Sequence, residues 1–155
     1  MSISLNAIVT GMNGGPEAIM RNFNNVKNEL DRMNGSVVDV PKDQFTPING
    51  ITVDRDASYC QIYKFNNFAI ITIGAYAKNV TMKSWTFKEA VTIPKSYLNG
   101  FSKFRNFKDT RKISDDGWIY DANFDVSKGA LTIYTRGNEY NNKSLDLGVA
   151  GILYN

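Results

Sequence analysis

Two hydrophobic periods divide the chain. Between Pro16 and Met33 the apolar residues fall at Ile19, Phe23, Val26, Leu30 and Met33, spacings of four, three, four and three. That is the a/d seam of a coiled coil, narrower than the stripe of an ordinary core-facing helix. Pro16 suits a first helical position because its ring presets φ and its missing N–H would have no partner there. Glu17 adds negative charge at the positive helix end, and Asn34-Gly35 supplies a stop. The intervening residues are polar, so the single apolar line must be covered, and about two heptads are marginal as an isolated helix in water. Packing on the chain's own following domain would cover it. Self-association into a three-helix stem is preferred, because the seam offers broad apolar surface and no buried polar residue that enforces a dimer. Ahead of the helix, residues 2–10 read as an extended arm, closed by the turn residues Gly11, Asn13, Gly14 and Gly15.

From residue 36 the period changes to short runs rich in β-branched and aromatic residues, punctuated by Gly, Asn, Asp and Pro, the pattern of a β-sandwich or barrel. Eight strands are expected, near 36–40, 51–54, 57–65, 68–77, 84–93, 117–126, 130–135 and 145–154, with hairpin turns at Asn66-Asn67 and Ser127-Lys128-Gly129. In 84–93, Trp85, Phe87, Val91 and Ile93 share the face expected to be buried, and Pro94 ends the run. The run Phe68–Ala77 is apolar on both faces, as in a central strand or one at a subunit contact. The expected division is an arm and oligomerisation helix over 1–35 and a jelly-roll-like β-sandwich head over 36–155.

Composition narrows the chemistry. With 155 residues the chain accommodates one domain plus a small appendage, and 43% hydrophobic with 21% charged residues is a folding composition. A net charge of +3 is too mild for a dedicated nucleic-acid binder. Cys60 is the single cysteine and histidine is absent, which rules out an intrachain disulfide, Cys/His zinc sites and His-dependent triads. No metal or cofactor is implied. Carboxylate chemistry stays open, with Asp54, Asp56, Glu89 and Asp125 as available groups and no pair assigned, because a glycosidase pair is defined by a distance that sequence does not supply. No basic n-region with an apolar core and no run of the ~18–20 apolar residues of a membrane span occurs. The expectation is synthesis as a soluble cytoplasmic product without membrane insertion.

The segment GPEAIMRNF at residues 15–23 resembles the entry to the N-terminal helix in tail-fibre and baseplate proteins of phages that infect Gram-positive bacteria. The span 71–97, ITIGAYAKNVTMKSWTFKEAVTIPKSY, is similar to the strand, Trp, strand, then Ile-Pro-x-x-Tyr arrangement of their C-terminal β domains. Residues 117–126, 129–135 and 147–154 look like the hairpin strands that close such domains. The resemblance covers about two-thirds of the chain. It implies a trimeric structural protein of the virion that links baseplate parts or binds cell-wall saccharide. It departs from the family's receptor-binding members in its short stem.

Three groups of residues are candidates for contact. Asp115, Asp116, Trp118 and Tyr120 put carboxylates beside large aromatics, a mixture suited to sugars, whose hydroxyls need acceptors and whose C–H faces stack on rings; the same residues suit a polar turn entering a strand. Arg136, Asn138 and Tyr140 form a similar loop rim. Lys103, Arg105, Lys108, Arg111 and Lys112 interleave with Phe101, Phe104 and Phe107 and could meet the phosphates of a teichoic-acid-like polymer, an acidic neighbouring virion protein, or only water. The leading expectation is a non-enzymatic trimeric tail or baseplate protein that contributes to adsorption. The alternatives are a carboxylate-dependent hydrolase of wall polysaccharide and a purely structural baseplate linker.

Overall fold

The computed structural model of the chain describes residues 24, 25, 28, 35–107, 111–114, 117–137 and 139–155. The expected seam residues Ile19, Phe23, Val26, Leu30 and Met33 lie outside the described residues; of that segment Asn24, Asn25 and Asn28 are described and have helical backbone. The chain divides into two compact units, Met1–Ser36 and Val37–Asn155.

The second unit is built of strands, apart from two single 3-10 turns at Lys42–Gln44 and Lys95–Leu98. Its strands are β1 (Ser36–Asp39), β2 (Thr46–Pro47), β3 (Thr52–Lys64), β4 (Phe68–Met82), β5 (Phe87–Thr92), β6 (Lys103–Asn106), β7 (Arg111–Ile113), β8 (Ile119–Asp125), β9 (Ala130–Thr135), β10 (Tyr140–Asp146) and β11 (Val149–Tyr154). They form two antiparallel sheets. Sheet A has the order β1-β3-β4-β11-β6, with β10 also on β4, and sheet B the order β2-β5-β9-β8-β7. One continuous hydrophobic cluster draws on both, including Ile62, Ile71, Ile73 and Leu153 from sheet A and Ala122, Phe124, Leu131 and Ile133 from sheet B. Each fully buried Ile, Leu or Phe contributes about 1.5–3 kcal/mol of transfer free energy. The residues alternating with these define an outer face on each sheet.

Several expected strands differ from those observed, each for a local reason. The runs 51–54 and 57–65 belong to one strand, β3, whose register on β4 shifts between Asp54 and Tyr59. The exposed residues Arg55, Asp56 and Ala57 bulge out there, while the buried Ser58 hydroxyl donates to the Asp54 carbonyl at 2.9 Å. The run 145–154 spans parts of two strands: β10 lies beside the C-terminal half of β4 and β11 beside its N-terminal half. They break where the Asp146 carboxylate takes the Gly148 N–H at 2.9 Å. The basic segment, which lies outside the eight expected strands, contributes an edge strand to each sheet. β6 docks by turning Phe104 inward, edge-on to Phe124 with ring centroids 5.7 Å apart.

The turns at Asn66-Asn67 and Ser127-Lys128-Gly129 fall between strands as expected, the first closed by Phe65 N–H to the Phe68 carbonyl at 2.8 Å. β4 is central in sheet A, in line with its two apolar faces.

Candidate functional site

The outer face of sheet B gathers three exposed aromatic residues, Trp85, Phe87 and Tyr134, while Tyr59, Phe68 and Phe107 are exposed elsewhere. The sequence assigns Trp85, Phe87, Val91 and Ile93 to one buried face, but β5 carries a register shift between Glu89 and Val91 against β9. One extra residue there, Ala90, reverses the parity of the strand. Val91 and Ile93 point into the core, whereas Phe87 is 57% exposed and Trp85, just ahead of the strand, 62% exposed. The charged Glu89, sharing parity with Phe87, is the sequence signal of this reversal.

Cross-strand pairing then builds a row. Phe87 faces Tyr134 on β9, Tyr134 faces Asp121 on β8, and Asp121 faces Arg111 on β7. Trp85 leans on the same Tyr134, ring centroids 6.4 Å apart and planes at 59°. Its ring also reaches the next loop, where a Cβ added at Gly137 would sit 3.8 Å from Cζ2. Asp121, buried to 8% exposure beneath this ledge, accepts from Arg136 Nε at 2.5 Å. Ile113 and Ile119, paired on β7 and β8 and both exposed, extend the apolar surface. Exposed apolar patches of this kind mark contact sites.

Trp85 is also strained. Its φ of +57° lies in the left-handed region, which costs a bulky residue about 1–3 kcal/mol. A tryptophan that is both strained and largely exposed adds little to the fold it sits on.

Phe87 joins this ledge to a cleft of about 490 Å³ at the far end of the face, where β8 runs on past β7 and its edge approaches β6. Phe87 and Phe104 form apolar walls, and Ser102, Asn123, Asp125 and Ser127 supply polar groups. Hydrogen bonds orient two of these. The Asn123 Oδ1 accepts from Asn106 Nδ2 at 3.0 Å and from the Phe124 N–H at 2.8 Å, so the amide NH2 is turned away from the backbone. The Asp125 Oδ1 accepts from Ser127 N–H at 2.9 Å and from the Ser127 hydroxyl at 2.6 Å. Nearby, Lys128 and Glu89 are ion-paired, which raises the Lys128 pKa.

The residues expected to bind saccharide are divided by this arrangement. Arg136 belongs to the ledge through Asp121. Tyr120 and Tyr140 are core, 2% and 1% exposed; their hydroxyls donate to the carbonyls of Asp146 at 2.7 Å and Ile119 at 2.9 Å. Burial pushes the Tyr140 phenol up to about 12. Trp118 is half-buried, edge-on to Tyr140 with Lys143 Nζ 4.9 Å over its ring. Asp115, Asp116 and Asn138 lie outside the described residues, as does Lys108.

The basic residues also separate. Lys103 and Arg105 lie on the outer face of sheet A, Lys103 5.8 Å from the Tyr154 ring centre and Arg105 opposite Ile152. Arg111 is in the ledge row on sheet B, and Lys112 is half-buried opposite Tyr120. Of the carboxylates open to catalysis, Asp54 pairs with Lys78 at 2.9 Å, whose hydrogen bond and charge lower its pKa, and Glu89 pairs with Lys128. Among the described residues no three of His, Cys, Asp or Glu converge as metal ligands do, and no helix is long and apolar enough to cross a membrane.

The fold is similar to that of the receptor binding protein (gp15) of Listeria phage PSA. That crystal structure superposes with a TM-score of 0.52 at 16% sequence identity, over 95% of this chain and 83% of that one. The likeness is one of fold, and it agrees with the resemblance to phage proteins of Gram-positive hosts carried by residues 15–23 and 71–97. No protein-family model and no curated protein matches the sequence.

Proposed function

We propose that this chain is a structural protein of a bacteriophage tail or baseplate that contributes to adsorption by holding a host cell-wall saccharide on the outer face of sheet B. The observation that carries the reading is Trp85, strained at φ +57°, 62% exposed and set against Tyr134 beside Phe87. Sugar rings stack their C–H faces on such aromatics, while carboxylate, amide and hydroxyl groups meet the ring hydroxyls. The Asp121–Arg136 pair and the Asn123 and Asp125 side chains lie where those hydroxyls would fall. The fold likeness to a phage receptor binding protein supports the same role.

On this reading residues 36–155 are a β-sandwich head of jelly-roll-like character, and residues 1–35 are the arm and helix through which three copies join by Ile19, Phe23, Val26, Leu30 and Met33. Asp115, Asp116 and Asn138 are taken to add polar groups for the sugar hydroxyls. Lys103, Arg105, Lys108, Arg111 and Lys112 add ionic contacts, either to a teichoic-acid-like polymer or to an acidic neighbour in the tail. The protein binds without cleaving.

The test is sedimentation of the full chain with purified cell walls from a panel of Gram-positive bacteria, before and after their polysaccharide is stripped. Retention that depends on polysaccharide, with no release of reducing ends, is expected. Equal retention on stripped walls would overturn the reading, and steady release of reducing ends would make the protein a hydrolase.

A further inference from the structure

Resting on that saccharide reading, we infer that the ligand is an extended, uncharged stretch of glycan of about four sugar residues, laid along the strands of sheet B from Trp85 to Asp125. Three observations define the path. Phe87 belongs both to the aromatic ledge and to the wall of the 490 Å³ cleft, so the two surfaces are continuous. The Trp85 and Tyr134 rings are 6.4 Å apart, and Tyr134 is four residues along β9 from Ala130, the partner of Asp125. At about 3.3 Å per residue the whole track is roughly 20 Å, the length of about four linked pyranoses.

The chemistry changes along that track. The Trp85 end offers ring faces over the partly exposed Asp121–Arg136 ion pair, which suits the C–H face of one sugar. The Asp125 end offers a held donor, the Asn123 amide, and a held acceptor, the Asp125 Oδ2, both fixed by bonds to their other atoms. Such groups select hydroxyls at a set distance from the stacked sugar, so a single terminal residue leaves half the surface unused. The ionised group in the cleft wall is a carboxylate, and the neighbouring Lys128 is paired with Glu89. A phosphate there would meet negative charge.

The experiment uses the full chain and fragments of one to eight sugar residues, cut by partial acid hydrolysis from the wall polysaccharide it retains and separated by size and charge, in calorimetric titrations. Affinity is expected to rise at least tenfold from one residue to four and to level off beyond. Asn123→Ala and Asp125→Ala are each expected to erase most of the gain from two residues to four.

If a monosaccharide binds as tightly as a tetrasaccharide, or both variants bind the tetrasaccharide like the parent, the extended track is wrong and the saccharide reading stands. Tighter binding of phosphate-bearing fragments than of neutral ones of equal length overturns the uncharged assignment. Failure of every fragment, with the polymer also unbound, overturns both this inference and the saccharide reading.

Discussion

Replacing Trp85 with glycine separates its two roles. The ring is 62% exposed, so roughly 90 Å² is covered, and losing that burial costs about 2 kcal/mol at 25 cal/mol/Å². Losing the contact with Tyr134 costs about a further 0.5–1 kcal/mol. Against this, glycine adopts φ +57° freely, and relief of the left-handed backbone returns about 1–2 kcal/mol. The net loss is about 1 kcal/mol, against about 3–5 kcal/mol for truncating a core aromatic. Urea unfolding monitored by far-UV circular dichroism measures it, and retention on walls measures binding, expected to fall at least tenfold. A stability loss above about 3 kcal/mol, or unchanged binding, would refute the claim that Trp85 is kept for contact rather than packing.

Gly129 holds φ +64° in the β8–β9 turn, with a Cβ position 2.6 Å from the Ile93 carbonyl oxygen. Gly129→Ala should therefore cost at least about 2 kcal/mol in urea unfolding. Tyr120→Phe leaves the Asp146 carbonyl without its 2.7 Å bond and should cost about 1–2 kcal/mol with no change in wall binding. Burial raises the Cys60 thiol to about 12 from 9.0, and the Tyr140 phenol to about 12 from 10.0. In both the unfolded chain loses its proton first, so stability is full below pH 9 and declines as pH rises from 9 toward 12. Cys60→Ala should move the onset of alkaline unfolding from near pH 9 to near pH 10, read by circular dichroism. Replacing Lys103, Arg105 and Lys108 with Ser should shift unfolding by less than about 0.5 kcal/mol; if the basic strands meet a phosphate polymer, it should also weaken the salt-sensitive part of wall binding.

Much of the β domain was legible because its signals are local. Asn66-Asn67 and Ser127-Lys128-Gly129 mark turns by their own backbone preferences, and the doubly apolar run from Phe68 marks a central strand. The site was harder to read because its parity is set by pairing. The extra residue at Ala90 exists only relative to β9, and it turns Trp85 and Phe87 outward. Trp118, Tyr120 and Tyr140 drew attention through adjacent carboxylates, yet the alternation Tyr120, Ala122, Phe124 already placed Tyr120 in the core. The short charged strands β6 and β7 escaped because three or four residues, half of them basic, carry no readable period.

Trp85 and Trp118 are the two tryptophans of the chain, so a Trp118→Phe protein reports on Trp85 alone. The central claim predicts that titrating this protein with the wall polysaccharide it retains shifts Trp85 emission to the blue, as stacking sugar displaces water, and saturates in step with calorimetric binding. Binding by calorimetry with Trp85 emission unchanged would contradict it.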